Sequence, residues 1–195
     1  MLRILLAIAL ILAALAFAAF YRGLVIRQYE VASAKYPAGE AIKIVLLADL
    51  HSYIYKPDQE PVIRRVKDLN PDVILLCGDM ADDRNPVDGF LQLLKGVVPL
   101  APCYYVTGSH DYWGGEIGAV KTAVREAGAT VLNGDTEQLS VKGMPLFISG
   151  IDDPVLAPAA WDESEDDAYR RALETDFQSL DRSVFNLLVA HRPDF

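Results

Sequence analysis

The chain opens on one long apolar run and then settles into short apolar stretches alternating with segments of helical spacing. Residues Ile4 to Tyr21 carry no charge and are almost wholly apolar. As a helix this run would extend roughly 27 Å, close to the hydrocarbon thickness of a bilayer. Leu24–Val31 reads as a first strand. Ile42–Ala48 reads as a strand buried on both faces, apolar apart from Lys43. Within Asp58–Asn70 the apolar residues fall at 62, 63, 66 and 69, which predicts a helix stopped by Pro71. Val73–Cys77 predicts the next strand, Phe90–Leu94 a short helix and Cys103–Val106 another strand. Glu116–Ala127 predicts a helix that ends at Gly128.

Strands and helices alternating at this spacing predict an α/β domain with a largely parallel sheet. The pattern changes over residues 129–150. Ala129–Leu132, Glu137–Val141 and Pro145–Ser149 read as short strands, and the intervening Asn133-Gly134-Asp135 and Lys142-Gly143-Met144 predict hairpins. An acidic loop and helix follow over about 161–180, then Val184–Ala190 as one more apolar strand. The organisation expected is an N-terminal segment 1–23 followed by a domain over 24–195.

Composition narrows the function classes. The formal net charge is −9 and no run of Lys or Arg forms a basic stripe, so a nucleic-acid partner is not expected. The two cysteines, Cys77 and Cys103, lie inside apolar runs without CxxC spacing; both are expected to be buried thiols. The N-terminal run predicts a single-pass membrane anchor, with a signal peptide cleaved near Ala16-Phe17-Ala18 as the alternative. Arg3 precedes the run and Arg22 and Arg27 follow it, so flanking charge hardly orients it; the lean is to an extracytoplasmic domain.

Candidate chemistry sits at strand ends. The chain has three histidines, His51, His110 and His191, and each follows a predicted strand within a few residues. In parallel α/β sheets ligands bind at the carboxyl ends of the strands. Asp49 and His51, two apart at a strand end, project to one side and can grip a single ion. Asp79 follows Gly78 at the end of the next strand, where an Asp also serves as an ordinary turn former. Gly108-Ser109-His110-Asp111 follows the third strand, and His191 the last. Tyr112 and Trp113 either shape a pocket or pack under their loop, and Asp152-Asp153-Pro154 is explained by a turn alone. Asp162–Asp167 reads as a solvated helix start.

Taken in order, Asp-x-His, Gly-Asp, Gly-x-His-Asp and a strand-terminal His resemble the calcineurin-like metallophosphoesterases, in particular their membrane-anchored bacterial branch. The resemblance implies a layered α/β sandwich, preceded here by one N-terminal transmembrane helix. It implies that Asp49, His51 and Asp79 hold one metal, and that Asp79 bridges to a second metal also bound by His191. Position 109 would be another ligand of the second metal, and His110 would stand near the leaving-group oxygen, oriented by Asp82. The cofactors implied are two divalent ions, and the mixed carboxylate and imidazole set suits Mn²⁺, Fe or Zn²⁺. The activity implied is hydrolysis of a phosphomonoester, phosphodiester or pyrophosphate; the anchor adds a membrane-proximal or lipid-linked substrate. Oligomeric state has no signal in the sequence.

Two departures from that pattern stand out. Position 109 is Ser where the family has Asn, and a hydroxyl is a poorer ligand than an amide carbonyl, so weaker occupancy of the second metal is expected. The family continues with a Gly-His-x-His motif, whereas this sequence ends at Phe195. The reading is therefore of a fragment, inactive or nearly so by itself.

Overall fold

The apolar N-terminal run does form a helix, α1 (Leu2–Ala19), but Arg3 lies in its first turn. Its uncharged part, Ile4–Ala19, is then roughly 24 Å long. Among the described residues no helix is long and apolar enough to cross a membrane, so the expected transmembrane helix is not borne out there. The structure, a computed structural model, describes residues 2–19, 23–36, 39–154, 164–178 and 180–192; Phe20 and Tyr21 of the apolar run lie outside them. The large apolar side chains of α1 from Ile4 to Leu15 are exposed. The chain divides into two units after Val31. In the first, the expected strand Leu24–Val31 is absent, since these residues pair with no neighbour and Val25, Tyr29 and Val31 are exposed.

In the second unit, an apolar strand without polar alternation needs a covering layer on each face, and this requirement organises the fold. The elements are β1 (Ile44–Leu47), a 3₁₀ turn (Pro57–Gln59), α2 (Glu60–Leu69), β2 (Val73–Cys77), α3 (Asp88–Val97) and β3 (Cys103–Val106). There follow α4 (Ser109–Trp113), α5 (Ile117–Glu126), β4 (Thr130–Val131), β5 (Asp135–Val141), β6 (Met144–Gly150), α6 (Glu165–Phe177) and β7 (Asn186–Val189). β1 to β4 form a parallel sheet in chain order. In a second sheet β5 and β6 are antiparallel and β6 and β7 parallel.

The core lies between the sheets. Val73, Leu75 and Cys77 of β2 and Tyr104 and Val106 of β3 meet Leu146 and Ile148 of β6 and Val189 of β7. The alternate residues Ile74, Leu76 and Tyr105 are also fully buried, on the opposite face. There Phe90 of α3 packs on Tyr105 with ring centroids 5.6 Å apart. Cys77 and Cys103 are free and buried as expected, and burial pushes both thiols up to about 12.

Two expectations are corrected. β1 is not buried on both faces: among the described residues it edges its sheet, and Leu46 is 61% exposed. Asn133-Gly134-Asp135 does not join a hairpin, because β4 pairs with β3 while β5 pairs with β6. Gly134, at φ +78°, instead turns the chain from one sheet into the other. The second predicted turn does close a hairpin: Lys142 and Gly143 both have positive φ between Val141 and Met144, the geometry of a type I′ turn.

Candidate metal centre

The registers of the first sheet align its three loops. Leu47 pairs with Leu76 and Cys77 with Val106, so Asp49, Asp79 and the Gly108 turn leave the sheet at the same end. The first two loops are laced together, His51 N–H donating to the Asp79 carbonyl (2.9 Å) and Ser52 N–H to Met80 (2.9 Å). Asp49, His51, Ser52 and Asp79 all have φ between 49° and 54°. Left-handed conformations cost a non-glycine residue roughly 1–2 kcal/mol each. Such strain concentrates at functional sites, where the surroundings hold it in place.

These loops converge on Asp79. Its side chain is nearly buried, and one carboxylate oxygen, Oδ2, lies 3.4 Å from His191 Nε2 and 3.9 Å from His51 Nε2. The other, Oδ1, accepts from His110 N–H at 2.9 Å. Among the described residues, Asp49, Asp79 and His191 bring ligating atoms within 4.8 Å of one another, as do His51, Asp79 and His110. Five of the side chains singled out in the sequence thus meet on one patch. Ser109 stands at the start of α4, between Gly108 and His110.

The electrostatics follow from that crowding. Burial works against charge on Asp79, but the hydrogen bonds from His191 and from the His110 N–H outweigh it and hold the carboxyl below its ordinary range. His191 is pushed up to about 9, chiefly by its bond to Asp79. A divalent cation would take the place of that proton. His191 Nδ1 lies 2.8 Å from the Cys77 carbonyl, which fixes Nδ1 as the donor and leaves Nε2 facing Asp79, the arrangement metal-ligating histidines commonly show. One further carboxylate, Asp49, and three imidazoles around the shared Asp79 carboxylate fit a divalent ion of the Mn²⁺, Fe or Zn²⁺ type.

His110 borders the patch with its ring centroid 4.6 Å from that of His51. Its Nδ1 lies 3.2 Å from Asp83 Oδ1 and 3.5 Å from Asp82 Oδ1. Asp83, rather than Asp82, makes the hydrogen bond. Asp82 instead accepts from the Asn85 amide at 2.6 Å; although burial opposes its charge, the bonds it accepts from the Asn85 amide and the Arg84 N–H hold its carboxyl below the ordinary range. Trp113, 54% exposed, meets His110 edge to face, with ring centroids 4.6 Å apart. It does not pack under the loop.

Asp111 closes the motif Gly108-Ser109-His110-Asp111. It is buried, and its two oxygens accept from Ala81 N–H (2.6 Å) and Gly108 N–H (2.8 Å), tying the loop after β2 to the loop after β3. Glycine is required where these loops touch: a Cβ at Gly78 would lie 2.7 Å from the His191 ring.

Comparison with known proteins agrees with this geometry. The chain is 27% identical over 163 residues to the uncharacterized metallophosphoesterase YkoQ of Bacillus subtilis, covering 81% of this chain and 56% of that protein. It is 26% identical over 131 residues to a bovine transmembrane protein with metallophosphoesterase domain, covering 60% of this chain and 28% of that one. The chain therefore spans about half the length of the first and about a quarter of the second. The crystal structure of phosphopantetheinyl hydrolase from Mycobacterium tuberculosis shares the fold, with a TM-score of 0.54 at 16% identity, covering 77% of this chain and 68% of that one. Residues 42–193 match the family described as calcineurin-like phosphoesterase, and the chain belongs to that family.

Proposed function

We propose that this chain forms the metal-binding part of a phosphoesterase that hydrolyses a phosphomonoester, phosphodiester or pyrophosphate bond. The observation that carries the reading is the sharing of Asp79 between the Asp49–His191 group and the His51–His110 group. Asp49, His51, Asp79 and His191 would hold the ions, with Ser109 a weak contributor. Bound divalent ions supply charge neutralisation at the phosphoryl group and acidify water there. The chain's own part is to fix those ligands and to place His110 beside them as proton donor to the leaving oxygen. Asp83 orients the His110 ring through Nδ1, and Asp82 adds negative charge beside it.

Turnover of an aryl phosphodiester with Mn²⁺ by a full-length protein carrying this domain tests the reading. His110→Ala is expected to lower kcat by about a hundredfold to ten-thousandfold while metal binding persists. Ser109 favours one rival, a protein of this fold that binds metal or phosphate without turnover. Metal binding with no turnover, and no further loss in His110→Ala, would select that rival.

A membrane-proximal or lipid-linked substrate is the finer part of the proposal. It is supported by the exposed apolar side chains of α1 and by the name of the bovine relative. Removing residues 1–23 is expected to abolish co-sedimentation with phospholipid vesicles. Equal sedimentation of both forms would count against it.

A further inference from the structure

The second sheet brings a group of charges up to the edge of the metal centre. Because β6 and β7 pair Gly150 with Val189, Asp152 and Asp153 leave β6 alongside His191 and Arg192. Arg192 closes a fork on Asp153, Nε donating to Oδ2 at 2.9 Å and Nη2 to Oδ1 at 2.7 Å. The Asp153 N–H donates to Thr107 Oγ1 (3.1 Å), and that hydroxyl donates to Asp152 Oδ1 (2.8 Å). Lys121 of α5 donates to the other oxygen of Asp152. The linked groups run from the residue after His191 to Thr107, the residue before Gly108 and the turn that carries His110.

Stability alone is a poor account of this network. Asp152 and Asp153 are adjacent carboxylates, 8% and 1% exposed. Burying an ion costs several kcal/mol, and well-packed apolar replacements of buried pairs are often neutral or stabilising. A ligand site, by contrast, requires its side chains held to about 0.5 Å. β7 edges its sheet, with β6 its only strand neighbour among the described residues. His191 lies beyond the end of that edge strand, held at its ring by the Cys77 carbonyl. A two-bond Arg–carboxylate fork fixes orientation as well as distance.

We propose that Arg192, Asp153, Thr107, Asp152 and Lys121 are positioning residues that hold His191 at ligand distance from Asp79 across the two sheets. The proposal rests on reading the patch as a metal centre. Arg192→Met and Asp153→Asn are each expected to weaken Mn²⁺ binding about 10- to 100-fold by calorimetry. Arg192→Lys should not restore it, since Lys keeps the charge but not the fork. The double variant Asp153→Leu/Arg192→Met removes both charges; it is expected to unfold near the parent temperature yet bind Mn²⁺ as poorly as the single variants. A purely structural role predicts recovery of affinity together with stability, and that result would overturn the proposal.

In the metal-free chain, the NMR signal of the His191 Nδ1 proton, bonded to the Cys77 carbonyl, should shift or broaden in the single variants. If the parent binds Mn²⁺ and the variants match it within about twofold, the positioning role fails while the metal centre stands. If the parent binds none, the metal reading fails; an unchanged His191 signal would then refute the positioning role, and a displaced one would support it.

Discussion

Asp79→Asn is expected to lower Mn²⁺ affinity by at least about a hundredfold while leaving the domain folded. The change is isosteric, and an amide oxygen can still accept the His110 N–H that Oδ1 accepts now. What is lost is the negative charge that both ligand groups share. The same substitution removes the main cause of the raised His191 value of about 9, so that imidazole should titrate near the ordinary histidine range. Calorimetry with Mn²⁺ and an NMR titration of His191 check the two effects separately. Retained tight binding, or an unmoved His191, would mean that Asp79 is not the centre of the site.

Gly108→Ala is expected to damage the same carboxylate from the opposite side. The backbone at Gly108, φ −114° and ψ 178°, is open to any residue, so no conformational penalty confuses the result. A Cβ there would fall on Asp79 Oδ1 and lie 2.5 Å from the Asp79 backbone nitrogen. Neither atom can yield freely, because Asp79 N and Oδ1 belong to the short turn that also carries Gly78. Overpacking of this kind costs about 1–3 kcal/mol, and a ligand so displaced should bind metal about 10- to 100-fold more weakly. Thermal unfolding and Mn²⁺ titration read the two losses. Gly118→Ala is the matched control, since a Cβ at that position meets nothing within 4 Å.

Much of this arrangement was legible in the sequence because strand ends announce themselves. Val73–Cys77 and Cys103–Val106 are unbroken apolar runs closed by glycine-containing turns, and the loops after them carry Asp79 and His110. Burial was harder to read. Ile42–Ala48 has the composition of a central strand, yet Leu46 faces outward because β1 edges its sheet, and sheet order is a long-range property. The turn at Asn133-Gly134-Asp135 has hairpin chemistry, but tertiary pairing of β4 with β3 overrides the local signal. The supporting residues of the site were less visible still. Arg192 meets Asp153 only because of the β6–β7 register, and Asp111 acts through Ala81, thirty positions away. Asp82 and Asp83 are neighbours with the same chemistry, so only the position of the His110 ring separates their roles.

Anomalous diffraction from crystals soaked in Mn²⁺ addresses the convergence of these side chains without relying on any assay. The expected result is density bordered by Asp79, Asp49, His51 and His191, absent from crystals of Asp79→Asn treated alike. Manganese bound only elsewhere, or persisting at that spot in the Asp79→Asn crystals, would contradict the account.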